Sequence, residues 1–271
     1  MLQRKKESGP RVVLSCYVNM SRSGEQFVSN HALSYVISGG YDIYLNGKTQ
    51  SFKAGDFRFI AKDQLAKFTK YPPANGEFKS ISLVFDQSTL REISEENDLH
   101  KQKAYTGETL IHLQPTVLLQ TFIDSLYPYL NNSGEINSIV AKLKSKEAIM
   151  ILLETKPELR DLLFDFTTPG KIDLKAYMIQ NFKFNVGLSE YAYLTGRSLA
   201  TFKRDFEQIF STSPNKWLQQ RRLEEAYFLI KEQGRKVTDV YIDAGFKDLS
   251  HFSFAFKKAY GIAPSKLTLT I

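Results

Sequence analysis

Four histidines, His31, His100, His112 and His251, and one cysteine, Cys16, are the side chains of this 271-residue chain best suited to holding a transition metal. Their spacing does not suit it. A first-row metal site needs several nitrogen, sulfur or oxygen ligands converging on one point, and only His31 falls in the strand-rich first part of the chain. His31 therefore reads as a strand-end residue bonded to backbone or solvent. Cys16, alone in an apolar strand-like run, reads as core filler and has no partner for a disulfide. A Gly-x-Ser-x-Gly elbow, a Gly-rich phosphate loop with lysine and paired cysteines are all absent. No catalytic residue, metal or cofactor is expected.

Polar and small side chains near the end of the chain suit a different chemistry. One set is Ser198, Ala200, Thr201, Lys203 and Arg204; the other is Lys247, Ser250, His251, Ser253, Phe254 and Lys257. On a helix entering a DNA major groove, Arg or Lys can read guanine and a small apolar group can meet a thymine methyl. The apolar spacing leaves both sets outside: Leu199, Phe202, Phe206 and Ile209 form one buried stripe, and Phe252, Ala255, Phe256 and Ala259 the other.

Each set follows a short apolar helix that stops at a glycine. The first unit reads Leu188, Ala192, Gly196, Ser198, and the second Val237, Val240, Gly245, Asp248. Glycine supplies the positive φ that ends the first helix, and Ser198 and Asp248 cap the second, a helix-turn-helix plan used twice. Between the units, Ser213-Pro214 starts a long helix with serine as cap, and Trp217, Leu218, Leu223, Ala226, Phe228, Leu229 and Ile230 pack along it. Arg221 and Arg222 either reach phosphates or turn inward, and Thr238 is placed to cap the second unit. The glycines lie 49 residues apart, so the helix between them should hold two reading heads at fixed separation.

Charge follows the same division. Residues 1–167 hold 20 Lys and Arg against 19 Asp and Glu, whereas residues 168–271 hold 16 against 10, so the basic excess lies with the helix-turn-helix segment. Such an excess is the footprint of a phosphate-binding surface. No apolar run reaches the length of a membrane helix, and no signal peptide follows Met1, which places the chain in the cytoplasm.

The first ninety residues read as strands: Arg11 to Val18, His31 to Ser38, then Tyr41, Ile43 and Leu45 up to Asn46-Gly47, a type I′ hairpin turn. Ser51 and Phe52 return from it, Ala54-Gly55-Asp56 turns into Phe57 to Ala61, and Phe78 to Phe85 alternates. Short antiparallel strands of this kind make a small barrel or double-sheet jelly roll, and the Gly-Asp turn resembles that of cupin-like barrels. Helices are predicted over Asp86 to Ile93, Pro115 to Leu130 and Glu135 to Glu154, the last with Ile136, Ile139, Val140, Leu143, Ile149 and Leu152 as its apolar side. Part of that surface packs within the chain or against a second subunit. Thr167, Thr168, Pro169 and Gly170 form the clearest break, and a short helix follows over Lys171 to Phe182.

Taken together, the residues Ala192, Gly196, Ser198, Phe202, Arg204 and Phe206, then Ser213-Pro214, Trp217-Leu218, Arg222-Leu223 and Ala226, and finally Gly245-Phe246, Asp248, Ser250, Phe252-Ser253, Phe256-Lys257, Gly261 and Pro264-Ser265 resemble the AraC/XylS family of bacterial transcription regulators. The resemblance covers roughly residues 170–268. It implies a regulator, expected to be an activator, that binds double-stranded promoter DNA with both units, acts on RNA polymerase and answers to a small-molecule or protein effector. Two positions depart from the family pattern: Tyr241 stands where alanine is usual, implying a wider helix crossing or an outward ring, and Phe254 where arginine is frequent.

The expected fold class is α+β: a cupin-like β-barrel over residues 1–90, a helical dimerisation segment over 91–167 that makes a homodimer, and an all-α double helix-turn-helix domain over 168–271. Two other classes compete with a DNA-binding regulator, a metal-dependent cupin-type enzyme with an appended helical domain and a protein-interaction adaptor. Histidine poverty argues against the first, and salt-dependent promoter binding would separate the second.

Overall fold

The computed structural model describes residues 9–22, 26–130 and 136–267. The chain divides into two compact units, residues 1–167 and 168–271. The first contains, in chain order, β1 (Arg11–Tyr17), β2 (Phe27–Val28), β3 (His31–Ser38), β4 (Gly40–Leu45), β5 (Lys48–Lys53), β6 (Phe57–Ile60), β7 (Gln64–Tyr71), β8 (Phe78–Phe85), α1 (Gln87–Glu96), β9 (Leu110–Leu113), α2 (Val117–Asp124), α3 (Ser138–Thr155) and α4 (Arg160–Leu163). All strand pairings are antiparallel.

The strands form two sheets, one of five in the order β1-β8-β3-β6-β9 and one of four in the order β2-β7-β4-β5. Among the described residues no ladder joins them into the closed cupin-like barrel expected from sequence. Each sheet keeps two open edges, and the chain changes sheets between β3 and β4, just after a register irregularity at Val36 and Ser38. Period-2 alternation gives the five-stranded sheet two different faces. Leu33, Phe57, Phe59, Ile81, Leu83 and Phe85 pack against Leu90, Ile93, Leu119, Phe122, Ile149 and Leu152 of the helices. Val36, Ile60 and Phe78, on the other face, meet Tyr41, Ile43 and Phe52 of the four-stranded sheet.

Asn46 and Gly47 both take positive φ and close the β4-β5 hairpin with Leu45 opposite Lys48, the two-residue turn read from the sequence. Strands β2, β7 and β9 had no such signal. β7 presents Ala66, Phe68 and Lys70 inward, and the lysine breaks the apolar alternation. β9 lies beyond residue 90 yet pairs with β6, so the segment 91–167 is not purely helical and shares one unit with the strands. The helix expected over Pro115 to Leu130 ends at Asp124, where Ser125 caps it and a 3-10 turn follows at Tyr127–Tyr129. Of the stripe expected on α3, Ile149 and Leu152 are buried, while Ile139 is 71% and Leu143 62% exposed, because Ala141, Ser145 and Ala148 form its close-packed side. The predicted start at Glu135 lies outside the described residues. Cys16 is exposed on the edge strand β1, not core filler.

The second unit is helical: α5 (Leu174–Asn181), α6 (Leu188–Leu194), α7 (Leu199–Phe210), α8 (Pro214–Lys231), α9 (Val237–Asp243) and α10 (Leu249–Tyr260), closed by a 3-10 turn at Pro264–Lys266. Among the described residues of both units, no helix is long and apolar enough to cross a membrane.

Candidate nucleic-acid interface

In the first unit α6 ends at Thr195, and Gly196, at φ 66°, turns the chain toward α7. A Cβ at Gly196 would stand 2.3 Å from the Gly170 carbonyl carbon, so both the turn and the close approach require glycine. Ser198 Oγ then accepts from the Thr201 N–H at 3.2 Å and donates to Thr201 Oγ1 at 2.9 Å, satisfying a free donor at the start of α7. Phe202 and Phe206 are fully buried, and Phe210 continues the row with its ring 4.4 Å from that of Phe206. Trp217 closes on both, 5.6 Å from Phe206 and 4.7 Å from Phe210. The stripe thus follows i, i+4 steps. Leu199 and Ile209, expected in it, are exposed at the two ends of α7.

The second unit repeats the plan. Gly245 turns at φ 97°, and a Cβ there would meet Lys183 O at 2.7 Å and Arg222 Nε at 2.9 Å. Asp248 Oδ1 accepts from the His251 N–H at 2.7 Å, and Phe252, Ala255 and Phe256 are buried. Tyr260, 4.7 Å from Phe256, takes the place expected of Ala259, which is exposed. Tyr241 is half-buried against this core, which also contains the fully buried Ala244, so its ring does not point outward. Two other expectations fail: Thr238 lies inside α9, whose N-cap is Lys236, and Phe228 is exposed. Ser213 is the N-cap of α8 and Pro214 its first residue, as read, though the serine makes no side-chain cap bond.

The predicted contact residues fall on two outward faces. Ser198, Ala200, Lys203 and Arg204 on α7, and Lys247, Ser250, His251, Phe254 and Lys257 at or on α10, are exposed; Thr201 and Ser253 are half-buried. Arg204 is oriented by a residue that the sequence did not single out. Its Nη2 lies 3.2 Å from Asp205 Oδ1, while Arg197 Nε lies 3.1 Å from Asp205 Oδ2. The hydrogen bond from Arg197, joined by Arg204, holds the Asp205 carboxyl below the usual range. Phe254 is 71% exposed, an unusual position for a phenyl ring unless a partner covers it.

Arg222 turns inward, yet to carbonyls rather than to a carboxylate: Nε donates to Phe182 O at 2.8 Å and Nη2 to Phe184 O at 2.7 Å. Arg221 pairs with Glu224 at 2.7 Å. The Tyr191 hydroxyl donates to Asn181 O at 2.9 Å and Phe184 O at 2.7 Å, and burial pushes its pKa up to about 12. Tyr191 and Arg222 thereby fasten the loop ahead of α6 to α8. Beside them a groove of about 480 Å³ runs between the start of α6, the start of α8 and the turn of the second unit, with Asn185, Asn215, Gln219, Lys247 and His251 on its walls. Sequence spacing pointed to Lys247 and His251; the three amides lie in loops and on the outer side of α8, where no periodic signal marks them.

Three of the histidines lie on different elements and His100 in the loop after α1. His31 on β3 is buried, accepts from the Lys62 N–H at Nδ1 (3.2 Å) and leaves Nε2 without a partner; burial, then Lys62, brings its pKa down to about 3. His100 pairs with Asp98 at 3.0 Å, His112 on β9 lies 3.4 Å from Asp56, and His251 is exposed on α10.

Two helix-turn-helix units carried on one long helix, each with a basic outer face, define a DNA-binding transcription regulator. Residues 191–269 match the helix-turn-helix domain model, and residues 31–162 match the model of the ExsA N-terminal regulatory domain. Both matches support the assignment of the chain to the AraC/XylS family of transcription regulators. It is 25% identical over 252 residues to the thermoregulatory protein LcrF of Yersinia pestis, covering 89% of this chain and 90% of that one. The figures are the same for the virulence regulon transcriptional activator VirF of Yersinia enterocolitica. Among solved structures, apo ToxT from Vibrio cholerae aligns with a TM-score of 0.49 at 10% identity, over 98% of this chain and 100% of that one.

Proposed function

We propose that this chain activates transcription by placing α7 and α10 in successive major grooves on one face of promoter DNA and by contacting RNA polymerase. The observation that carries this reading is the duplication itself: two capped helices, each with its phenylalanine row inward and a basic, polar row outward. On α7, Arg204 and Lys203 reach base edges or phosphates, with Ala200 and Thr201 small enough to admit the groove wall, and Ser198 lies at the entry. On α10, Ser250, His251 and Ser253 are the polar readers, Phe254 meets a thymine methyl or a sugar, and Lys247 and Lys257 hold phosphates. The name of VirF, an activator, supports the sign of regulation.

In the same reading the N-terminal unit senses an effector, small molecule or protein, and pairs two copies of the chain, all in the cytoplasm. Val117 and Leu118 of α2 and Ile139 and Leu143 of α3 are among the apolar side chains left exposed for such a homodimer. Light scattering should show residues 1–167 self-associating and residues 168–271 monomeric. A monomeric N-terminal segment at roughly 50 μM, well above the Kd of a functional dimer, removes the dimer.

The DNA arm is tested by anisotropy titrations on fragments selected in vitro. Specific affinity should fall steeply with salt, and Lys203→Ala, Lys247→Ala or Lys257→Ala should each lower the log–log salt slope by about 1. Affinity that stays flat between low and moderate salt overturns the phosphate-contacting mode.

A further inference from the structure

Arg197 follows the Gly196 turn and is largely withdrawn from solvent, its side chain 11% exposed. Its Nη1 donates to Thr195 O at 2.7 Å and to Ile172 O at 3.1 Å, and its Nε donates to Asp205 Oδ2 at 3.1 Å. Thr195 ends α6 and Ile172 lies just ahead of α5. Two backbone carbonyls thus fix the guanidinium and, through it, one oxygen of a carboxylate on α7. The planar fork of arginine makes these bonds compatible, since its donors point in set directions.

Asp205 is 21% exposed, and its other oxygen, Oδ1, lies 3.2 Å from Nη2 of Arg204, whose side chain is 69% exposed. Consecutive residues of a helix point about 100° apart. The pair therefore forms only where Arg204 leans sideways along the helix surface toward its neighbour. One turn earlier that face carries the small Ala200 and Thr201, which do not wall the arginine in. An exposed ion pair contributes little to stability, so what this one sets is direction. A surface arginine samples many rotamers, and a contact that restrains it before DNA arrives reduces the ordering that binding requires. With one edge of the guanidinium on Asp205, donors remain on the other for bidentate bonding.

We propose that Asp205, held by Arg197, is a positioning residue that aims the Arg204 guanidinium at the O6 and N7 acceptors of a guanine in the half-site under α7. The same carboxylate repels phosphates. It weakens binding to any DNA and strengthens the choice among sequences, because the repulsion is common to all of them and the aim helps only where a guanine accepts. This deepens the reading of α7 as a groove-entering helix and rests on it.

The test uses the full-length protein in anisotropy titrations on a fragment selected in vitro, on its scrambled counterpart, and on the selected fragment with each guanine replaced in turn by 7-deazaguanine, which lacks the N7 acceptor. At one guanine the wild type should lose roughly fivefold in affinity. Asp205→Asn keeps the shape and removes the charge. It should cut the preference for selected over scrambled DNA by roughly two- to tenfold, the worth of ordering one long side chain, and shrink the 7-deazaguanine penalty at that guanine. Scrambled DNA should bind Asp205→Asn at least as tightly as it binds the wild type. In an Arg204→Ala background, Asp205→Asn should leave the preference unchanged. An Asp205 that merely braces the turn would instead lower the melting temperature and weaken both DNAs alike. A preference kept in Asp205→Asn, an equal loss on both DNAs, or the same loss with and without Arg204 overturns the positioning role, and a wild type indifferent to 7-deazaguanine at every position overturns the guanine. Failure of the underlying reading looks different: wild-type binding that is unselective and flat with salt removes DNA reading altogether, whereas selective, salt-dependent binding untouched by Asp205→Asn removes this role alone.

Discussion

The two helix-turn-helix units share a core and differ at the surface. Phe202, Phe206 and Phe210 against Trp217 in the first correspond to Phe252, Phe256 and Tyr260 against Tyr227 in the second, with neighbouring rings of each row 4.4 to 5.7 Å apart. Outside, Arg204 stands beside Asp205 and Arg197, whereas Phe254 stands alone in solvent. Burial tolerates few solutions at each position, so the inner rows agree. The outer rows answer only to what they touch, and under the proposed function their divergence means that the two heads would read DNA by different chemistry.

The sharpest way to break the first half of this comparison is to empty the cores. Phe202→Ala and Phe252→Ala should each destabilise by about 3–5 kcal/mol. Trp217, the single tryptophan, reports on both through α8, which also carries Leu223, Ala226, Leu229 and Ile230 into the second core. Urea titrations followed by its fluorescence should show equal losses. A transition left unmoved by Phe252→Ala would mean that the heads unfold separately.

The second half is sharpened at the surface. Arg204→Ala should cost about 1–3 kcal/mol of discrimination between cognate and scrambled DNA if the arginine reads a base, and Phe254→Ala less. Competition titrations on each mutant decide it, and a preference abolished by Phe254→Ala but kept by Arg204→Ala reverses the ranking of the heads. The smallest effect concerns the caps. Ser198→Ala and Asp248→Ala should each cost about 1 kcal/mol, Asp248 slightly more because its charge also meets the positive helix end. Equal or reversed losses in thermal melts would show that the charge adds nothing.

Much of the helical unit was legible because it is built from local signals. Gly196 and Gly245, Ser198 and Asp248, and apolar residues at steps of three and four each determine structure within a few residues. Ile209 and Ala259 were misplaced because three-step and four-step spacing fit the same string, and only the position of Trp217 or Tyr227 selects the four-step row. In the first unit the hairpin at Asn46-Gly47 announced itself, while β7 and β9 did not, since their pairing partners lie far along the chain. Arg58 and Lys70 look like surface residues in the sequence; their inward direction follows from register, which no local pattern reveals. Asp205, Tyr191 and Arg222 act through backbone carbonyls or a neighbouring arginine, and those partners were likewise invisible.

Gly245 has a consequence for the promoter. Its missing side chain lets the turn of the second unit lie against Lys183 O and the Arg222 guanidinium, and Arg222 in turn holds the carbonyls of Phe182 and Phe184 just ahead of α6. The joint leaves the heads little freedom to follow a helical repeat that has been lengthened. Operator variants with one base pair inserted between the half-sites should therefore be rejected by this chain and tolerated better by Gly245→Ala. Selectivity for spacer length would then reside in a residue that has no side chain to read anything.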